Sequence, residues 1–207
     1  MKGIFITFEG PECCGKSTQA RLLRGYLAGK GFRVVFLREP GGTAVSEKIR
    51  RILLDKKNGS ISSMTEMLLY MASRRQAVEE VIAPAISKGQ IVICDRFLDS
   101  TLVYQGYGLG LDMGLIRLLG RVATTGISPD LTILLDAPLK EALDSIGDRK
   151  DRIESRAFAY HRRVKAGYGK LAAREPGRIK TVRLMESKSA TQQKIRGIVD
   201  AFIRSRR

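Results

Sequence analysis

The sequence feature that most restricts the fold is the loop Gly10–Thr18, which reads Gly-Pro-Glu-Cys-Cys-Gly-Lys-Ser-Thr. It fits a glycine, four residues and Gly-Lys-Ser, a pattern whose backbone N–H groups cradle phosphates. Residues 3–8 before it predict a buried strand, and residues 19–30 after it predict an amphipathic helix. This order aims the positive end of the helix dipole at the loop. The sequence therefore predicts a nucleotide site, with Lys16 on the β- and γ-phosphates and Ser17 as a magnesium ligand.

Composition restricts the class of protein further. The chain has 207 residues, 43% hydrophobic and 28% charged, which suits one globular domain with a sizeable core. The first residues pass into the predicted strand without a long apolar run, so we expect neither a secretion signal nor a membrane span. The three cysteines, Cys13, Cys14 and Cys94, are too few for a disulfide framework, and we expect a reducing, cytoplasmic compartment.

The net charge of +16 is unevenly distributed, since residues 140–207 hold 19 Lys and Arg against 8 Asp and Glu. Three interpretations are consistent with this excess: a nucleic-acid partner, concentration of small anionic substrates, or a solvated basic surface. The chain has no recurring aromatic-plus-basic motif, zinc-ligand spacing or internal repeat. Nucleic acid is therefore not the favoured partner.

Alternating strand and helix patterns follow the loop and predict an α/β fold. The further predicted strands are residues 32–37, 90–94, 131–136 and 178–185. The further predicted helices are residues 44–55, 64–87 with a bend near Pro84, 111–124, 138–146, 158–173 and 191–204. In such a sheet, charged residues at the carboxyl ends of the strands meet at the ligand-binding edge.

Charged residues do follow two of these strands. Arg38-Glu-Pro-Gly-Gly-Thr43 ends the second, and Asp95-Arg96-Phe97 follows the third. A carboxylate at Asp95 can hold magnesium through water or help to deprotonate an acceptor, and the guanidinium of Arg96 can clamp a phosphate. A structural ion pair is the alternative, which the nearby phosphate loop makes less favoured.

Residues 147–156 are dense in alternating charge and poor in core residues, so we expect an exposed and mobile segment. Arginines on such a segment can swing over a transferring phosphoryl group and neutralise its developing charge. A solvated helix face is the alternative interpretation. His161, the only histidine, has no cysteine or carboxylate cluster near it in sequence, and we assign it no chemical role.

Together these motifs resemble one family, the bacterial thymidylate kinases, a branch of the P-loop nucleoside monophosphate kinases. The resemblance rests on Phe8-Glu-Gly10, Arg38–Thr43, the helix with Arg74, Asp95-Arg-Phe97 with Ser100 and Tyr104-Gln-Gly106, and Asp151-Arg-Ile-Glu154 with Gly167-Tyr168. It implies a three-layer P-loop NTPase fold, with a five-stranded parallel sheet, helices on both faces and a mobile lid at about 147–156. It also implies transfer of the γ-phosphoryl group of ATP to dTMP with Mg²⁺, giving dTDP and ADP for dTTP synthesis, by a cytoplasmic homodimer.

The resemblance also implies a dTMP site. Pattern alone favours a core Tyr70 and a surface Arg74, whereas the matching family residues stack on thymine and bind the acceptor. Glu12 matches the carboxylate on the sugar 3′-hydroxyl, and Tyr104 matches the residue that crowds the 2′ side against ribonucleotides. The remaining matches are Arg38 and Arg96, which with Arg74 serve the phosphate and base, and Ser100 and Gln105 beside the base.

On the ATP side the resemblance implies contacts from the phosphate loop and the lid. The loop residues are Gly10, Pro11, Glu12, Cys13, Cys14, Gly15, Lys16, Ser17 and Thr18. Some family members carry an arginine in this loop, where the present chain has cysteines. The resemblance therefore assigns the catalytic cation to Arg152 of the lid, supported by Arg149 and Arg156. Catalytic roles are implied for Lys16, Asp95, Arg96 and Arg152, and magnesium for Ser17 and Asp95.

The chain departs from the family pattern in its phosphate loop. Glycine is commoner at the position of Cys13, which indicates a backbone conformation that a side chain penalises. The two thiols beside Lys16 and a helix N-terminus are also expected to have depressed pKa values and to oxidise readily.

Three other interpretations stay open from the sequence. A related kinase could phosphorylate another monophosphate, depending on what Tyr70, Ser100 and Tyr104 accept. A P-loop ATPase or switch could hydrolyse ATP on a nucleic-acid scaffold, and DNA or RNA would then stimulate it. A nucleotide-binding protein that has lost catalysis is suggested only by Cys13.

Overall fold

The computed structural model describes residues 3–145, 147 and 150–206. Within these residues a five-stranded sheet has the order β2-β3-β1-β4-β5, and every pairing is parallel. The strands are β1 (Ile4–Glu9), β2 (Val34–Arg38), β3 (Ile91–Asp95), β4 (Leu131–Asp136) and β5 (Ile179–Arg183). The predicted five-stranded parallel α/β sheet is confirmed.

The helices of the described residues connect these strands. They are α1 (Lys16–Gly29), α2 (Ala44–Leu54), α3 (Ser63–Ala77), α4 (Ala83–Ser87), α5 (Leu98–Thr101), α6 (Met113–Thr124), α7 (Leu139–Asp144), α8 (Phe158–Arg174) and α9 (Lys188–Ser205). Side-chain caps begin several of them: Thr43 accepts from the N–H of Ser46 at α2, and Ser62 accepts from that of Thr65 at α3. No described helix has both the length and the hydropathy to cross a membrane.

Strand β1 lies at the centre of the sheet, between β3 and β4, and both of its faces are covered. Ile4, Ile6 and Phe8 pack with residues of α1 and α9, whereas Phe5 faces the opposite layer with Phe97. Alternate side chains of a strand point to opposite faces, so an uninterrupted apolar run indicates burial on both. Helices therefore cover both faces, as predicted.

Two helical segments differ from the sequence prediction. The helix predicted at 64–87 is interrupted by a π-helical turn, Val78–Ile82, about one turn before Pro84. A helical segment not predicted consists of α5 and a second π-helical turn, Leu102–Gly108. Because glycine disfavours a helix, Gly106 and Gly108 prevent the local pattern from predicting this one. Packing nevertheless requires both glycines. A Cβ at Gly106 would overlap the sulfur of Met113.

Candidate active site

The phosphate loop joins β1 to α1 through a backbone that few residue types tolerate. Gly10 has φ +142°, and a Cβ there would overlap the carbonyl oxygen of Leu135. Gly15 adopts a left-handed conformation at the start of α1, with φ 79°. Cys13 has φ 50° although it is not a glycine. The prediction that a side chain is penalised at Cys13 is therefore confirmed, since left-handed conformations cost L-residues about 1–2 kcal/mol.

The loop's functional side chains meet the carboxyl end of β3. Phe8 of β1 pairs in register with Asp95 of β3, which brings Asp95 beside the start of α1. There the hydroxyl of Ser17 donates to Asp95 Oδ2. Asp95 Oδ1 is buried and accepts no hydrogen bond from the described residues. Lys16 is buried as well, and its Nζ donates to the carbonyl oxygen of Pro11.

The Cys13 thiol of the loop differs from the sequence prediction. Partial burial raises the pKa of the Cys13 thiol above its ordinary value. The predicted depressed pKa is therefore wrong for Cys13, because desolvation disfavours the thiolate more than Lys16 favours it. Cys14 is buried, with its sulfur 3.5 Å from Lys16 Nζ. A smaller thiolate fraction at Cys13 means slower oxidation of that residue than the sequence predicts.

Glu12, Arg96 and Tyr104 form one hydrogen-bonded group beside the loop. Arg96 Nη2 lies 2.7 Å from Glu12 Oε2, and the Tyr104 hydroxyl lies 2.7 Å from Glu12 Oε1. The guanidinium carbon of Arg96 is 4.9 Å from the centroid of the Tyr104 ring. Burial alone would raise the pKa of Glu12, but Arg96 and Lys16 outweigh it and hold that pKa below its ordinary value. Glu12 is therefore an ionised acceptor that fixes both neighbours.

Glu9, at the end of β1, is a buried carboxyl that we did not single out from the sequence. It accepts from the N–H of Phe97 at 2.7 Å, from the Ser100 hydroxyl at 2.6 Å and from the Tyr168 hydroxyl at 2.8 Å. Burial and the nearby Asp99 raise its pKa to about 7, against the opposing effect of Arg96. Its position in Phe8-Glu-Gly10, at the carboxyl end of a strand, is the sequence signal that could have identified Glu9 as a site residue.

A cleft of about 510 Å³ opens over these groups. Most predicted site residues line it. They are Glu12, Cys13, Gly15, Lys16, Ser17, Thr18, Arg38, Tyr70, Asp95, Arg96, Ser100, Tyr104 and Gln105. The cleft thus joins the phosphate loop to the acceptor side predicted across from it.

Arg74 lies in the core and not on the surface. It is 1% exposed, so the surface position that pattern favours is wrong. Its Nε donates to Glu39 Oε2 at 2.8 Å, and its Nη2 donates to the Thr101 hydroxyl at 3.0 Å. Glu39 and Thr101 line the cleft, whereas Arg74 packs behind them. Arg74 therefore holds the wall of the site from within the core.

Arg50 of α2 is a second site residue that the sequence analysis missed. It lines the cleft near Arg38, and its Nη1 donates to the carbonyl oxygen of Pro40 at 3.0 Å. Burial and the charge of Arg38 lower its pKa. With Lys16 and Arg96, these arginines bring four cations to one cleft, which suits ligands that carry phosphates. Nothing in the sequence distinguishes Arg50 from other basic residues on helices.

The predicted lid is less exposed than its composition suggests. Arg152 is 9% exposed and Ile153 is 3% exposed, so the predicted exposure is wrong for both. Arg152 donates to the carbonyl oxygen of Leu53 at 2.7 Å and to Glu66 Oε2 at 2.6 Å. Arg156 donates to the same Glu66 oxygen at 2.6 Å.

Neither Arg152 nor Arg156 lines the cleft, although Ile153 and Glu154 between them do. In this structure Glu66 binds both guanidinium groups. Arg149 lies outside the described residues.

This chain is similar to known proteins in sequence and in fold. The family model described as Thymidylate kinase matches residues 8–195. The thymidylate kinase of Geotalea daltonii is 51% identical over 185 residues, which cover 85% of this chain and 86% of that protein. That of Thermoanaerobacter sp. (strain X514) is 46% identical over 204 residues, 98% of this chain and 100% of the relative. The crystal structure of thymidylate kinase from Ehrlichia chaffeensis matches with a TM-score of 0.78 at 31% identity, covering 97% and 99% of the two chains.

Proposed function

Since the chain belongs to the thymidylate kinase family, it transfers the γ-phosphoryl group of ATP to dTMP, giving dTDP and ADP, and we propose that the cleft performs this reaction as follows. The observation that most directly supports this proposal is the contact of 2.7 Å between Glu12 and Arg96. It joins the phosphate loop, which suits ATP, to the acceptor side within one cleft. Two phosphate-bearing substrates can therefore meet there, and transfer between them requires positioning and charge neutralisation more than a nucleophilic side chain.

On the donor side, backbone N–H groups of residues 10–18 and the N-terminus of α1 hold the ATP phosphates. Lys16 turns from Pro11 to the β- and γ-phosphates. Ser17 and Asp95 hold Mg²⁺, since a hydroxyl and a carboxylate with a free buried oxygen are the hard oxygen donors that this ion prefers. When bound, Mg²⁺ supplies neutralisation of the phosphate charge.

On the acceptor side, Arg96 clamps the phosphate of dTMP, and Arg38 and Arg50 add positive charge at the cleft wall. Tyr70 offers its ring to the base. Glu12 accepts from the sugar 3′-hydroxyl. The last acceptor residues are Tyr104, against the 2′ side, and Ser100 and Gln105, beside the base.

The proposed catalytic groups are Lys16, Arg96 and Asp95. Arg152 remains in the proposal as a residue that positions the lid, because it contacts Glu66 and the backbone of Leu53. Arg156 also positions the lid, through its contact with Glu66. We propose a single domain over residues 1–207, with the phosphate loop at 10–18, the acceptor helix at 64–87 and the lid at about 147–156.

An apolar surface on α3 and α6 supports the proposed homodimer. Leu68 of α3 is 47% exposed, and Leu118 and Val122 of α6 are 51% and 65% exposed. The two helices pack together, and we propose that these exposed side chains form one face for a second copy of the chain. Val122→Glu should convert a dimer to a monomer in light scattering, and a wild-type monomer would contradict the proposal.

Three free cysteines support the cytoplasm as the compartment.

The test of function is ADP formation from Mg-ATP, with dTMP, dUMP, dCMP, dAMP, dGMP and UMP offered separately and Lys16→Ala as the inactive control. Strong turnover with dTMP and little with UMP is expected. Better turnover with another monophosphate would overturn the acceptor assignment. Hydrolysis stimulated by DNA or RNA instead would overturn the kinase itself.

A further inference from the structure

Glu66, in the first turn of α3, is fully buried and does not line the cleft. Its two carboxylate oxygens have separate partners. Oε2 accepts from Arg152 and from Arg156, each at 2.6 Å. Oε1 accepts from the side-chain amide of Gln105, with 2.9 Å between Glu66 Oε1 and Gln105 Nε2. One carboxylate therefore connects the lid to a residue that lines the cleft.

This arrangement determines which way the Gln105 amide faces. A carboxylate that holds two guanidinium groups only accepts hydrogen bonds, so Gln105 must present its nitrogen to Glu66. Among the hydrogen bonds of the described residues, the Gln105 side chain makes only this donation, and its carbonyl oxygen accepts none. Because Gln105 lines the cleft, this oxygen is the polar atom left for a bound ligand.

We infer that Glu66 is a positioning residue that sets base specificity by holding the Gln105 carbonyl oxygen toward the acceptor base. This inference rests on the proposed acceptor side of the cleft. Thymine and uracil carry an N–H at N3, which an amide oxygen can accept. Cytosine carries an unprotonated N3, which would face that oxygen as a second acceptor. Glu66 thus favours dTMP and dUMP over dCMP without contacting any of them.

The variant Glu66→Gln tests the inference because the arginines dictate the orientation of the new amide. Arg152 and Arg156 require an oxygen where Oε2 lies, so the nitrogen takes the position of Oε1. Gln105 must then turn its oxygen to residue 66 and its nitrogen to the cleft. We expect kcat/KM for dTMP and dUMP to fall about tenfold, as for one lost hydrogen bond, while dCMP does not fall.

A double-mutant cycle with Gln105→Leu separates this effect from general damage. Gln105→Leu removes the amide and leaves the contacts of Glu66 with both arginines in place. It should reduce the preference for dTMP over dCMP, and Glu66→Gln should change that preference no further in its background. Dissociation constants of dTMP, dUMP and dCMP, measured by calorimetry, give the same comparison where dCMP turnover is too slow.

Equal losses with all three acceptors, or additive effects in the double variant, would overturn the inference. If Glu66→Gln does not fold, Glu66→Asp keeps the charge for the arginines but shortens the reach to Gln105. It should lower the preference for dTMP over dCMP, and an unchanged preference would overturn the inference. Failure of the wild type to phosphorylate dTMP would instead count against the proposed function.

Discussion

Glu9 should make the stability of this protein fall as the pH rises toward neutrality. Burial and Asp99 raise its pKa from 4.5 to about 7 in the folded chain. Between these values the native state binds more protons than the unfolded state, so the free energy of unfolding decreases with pH. Below the lower value both states are protonated. Above the upper value the native state carries the full cost of a buried carboxylate.

The size of the effect follows from the width of this pH interval. One pKa unit corresponds to about 1.36 kcal/mol, so the shift to about 7 amounts to about 3 kcal/mol. Glu9→Gln removes the titration and keeps the shape. Its carbonyl oxygen can accept from the N–H of Phe97, and its amide can donate to the hydroxyl of Tyr168. Relative to the wild type, the free energy of unfolding of the variant should therefore rise by about 3 kcal/mol from acid to alkaline pH.

Urea unfolding of both proteins from about pH 5 to about pH 8 measures this difference. Glu79→Gln is the matched control, because Glu79 has an exposed side chain and a surface ion pair with Arg75. Its unfolding free energy should follow that of the wild type at every pH. A difference between Glu9→Gln and wild type that stays constant across the range would refute the reasoning.

Substitutions at three further positions test the site. Tyr104→Phe removes the hydroxyl that binds Glu12, so it should weaken dTMP binding about tenfold while deoxyribonucleotides stay preferred. Tyr104→Ala also removes the ring and should admit UMP. Measurement of kcat/KM for dTMP and for UMP checks both expectations. Gly10→Ala should abolish ATP binding in calorimetry, since its Cβ would overlap the Leu135 carbonyl, and wild-type affinity would contradict this. Cys13→Gly should relieve the backbone strain at φ 50° and raise the free energy of unfolding, measured in urea, by up to about 1 kcal/mol. A lower free energy of unfolding in the variant would argue against strain at this position.

The local patterns of the sequence determined most of the architecture. A buried strand, a glycine-containing loop and a helix are each recognised from neighbouring residues, and β1, the phosphate loop and α1 follow in that order. The sheet edge then brings Asp95 to Ser17 because parallel strands end together. Segments rich in glycine escaped this reasoning. Leu102–Gly108 is helical because its glycines allow close packing, which local propensity does not reveal.

Only the tertiary structure decided the surroundings of the charged side chains. Arg152 and Glu66 are 86 positions apart in the chain, and Arg74 and Glu39 are 35 apart, yet each pair is buried. A charge pattern on one helix or loop gives no information about a partner from a distant segment. Burial of Arg74, the raised pKa of Glu9 and the division of the Glu66 oxygens all depend on such contacts. The sequence by itself determined most of the residues that line the cleft, whereas packing added Arg50 and placed Arg74, Arg152 and Arg156 behind its wall.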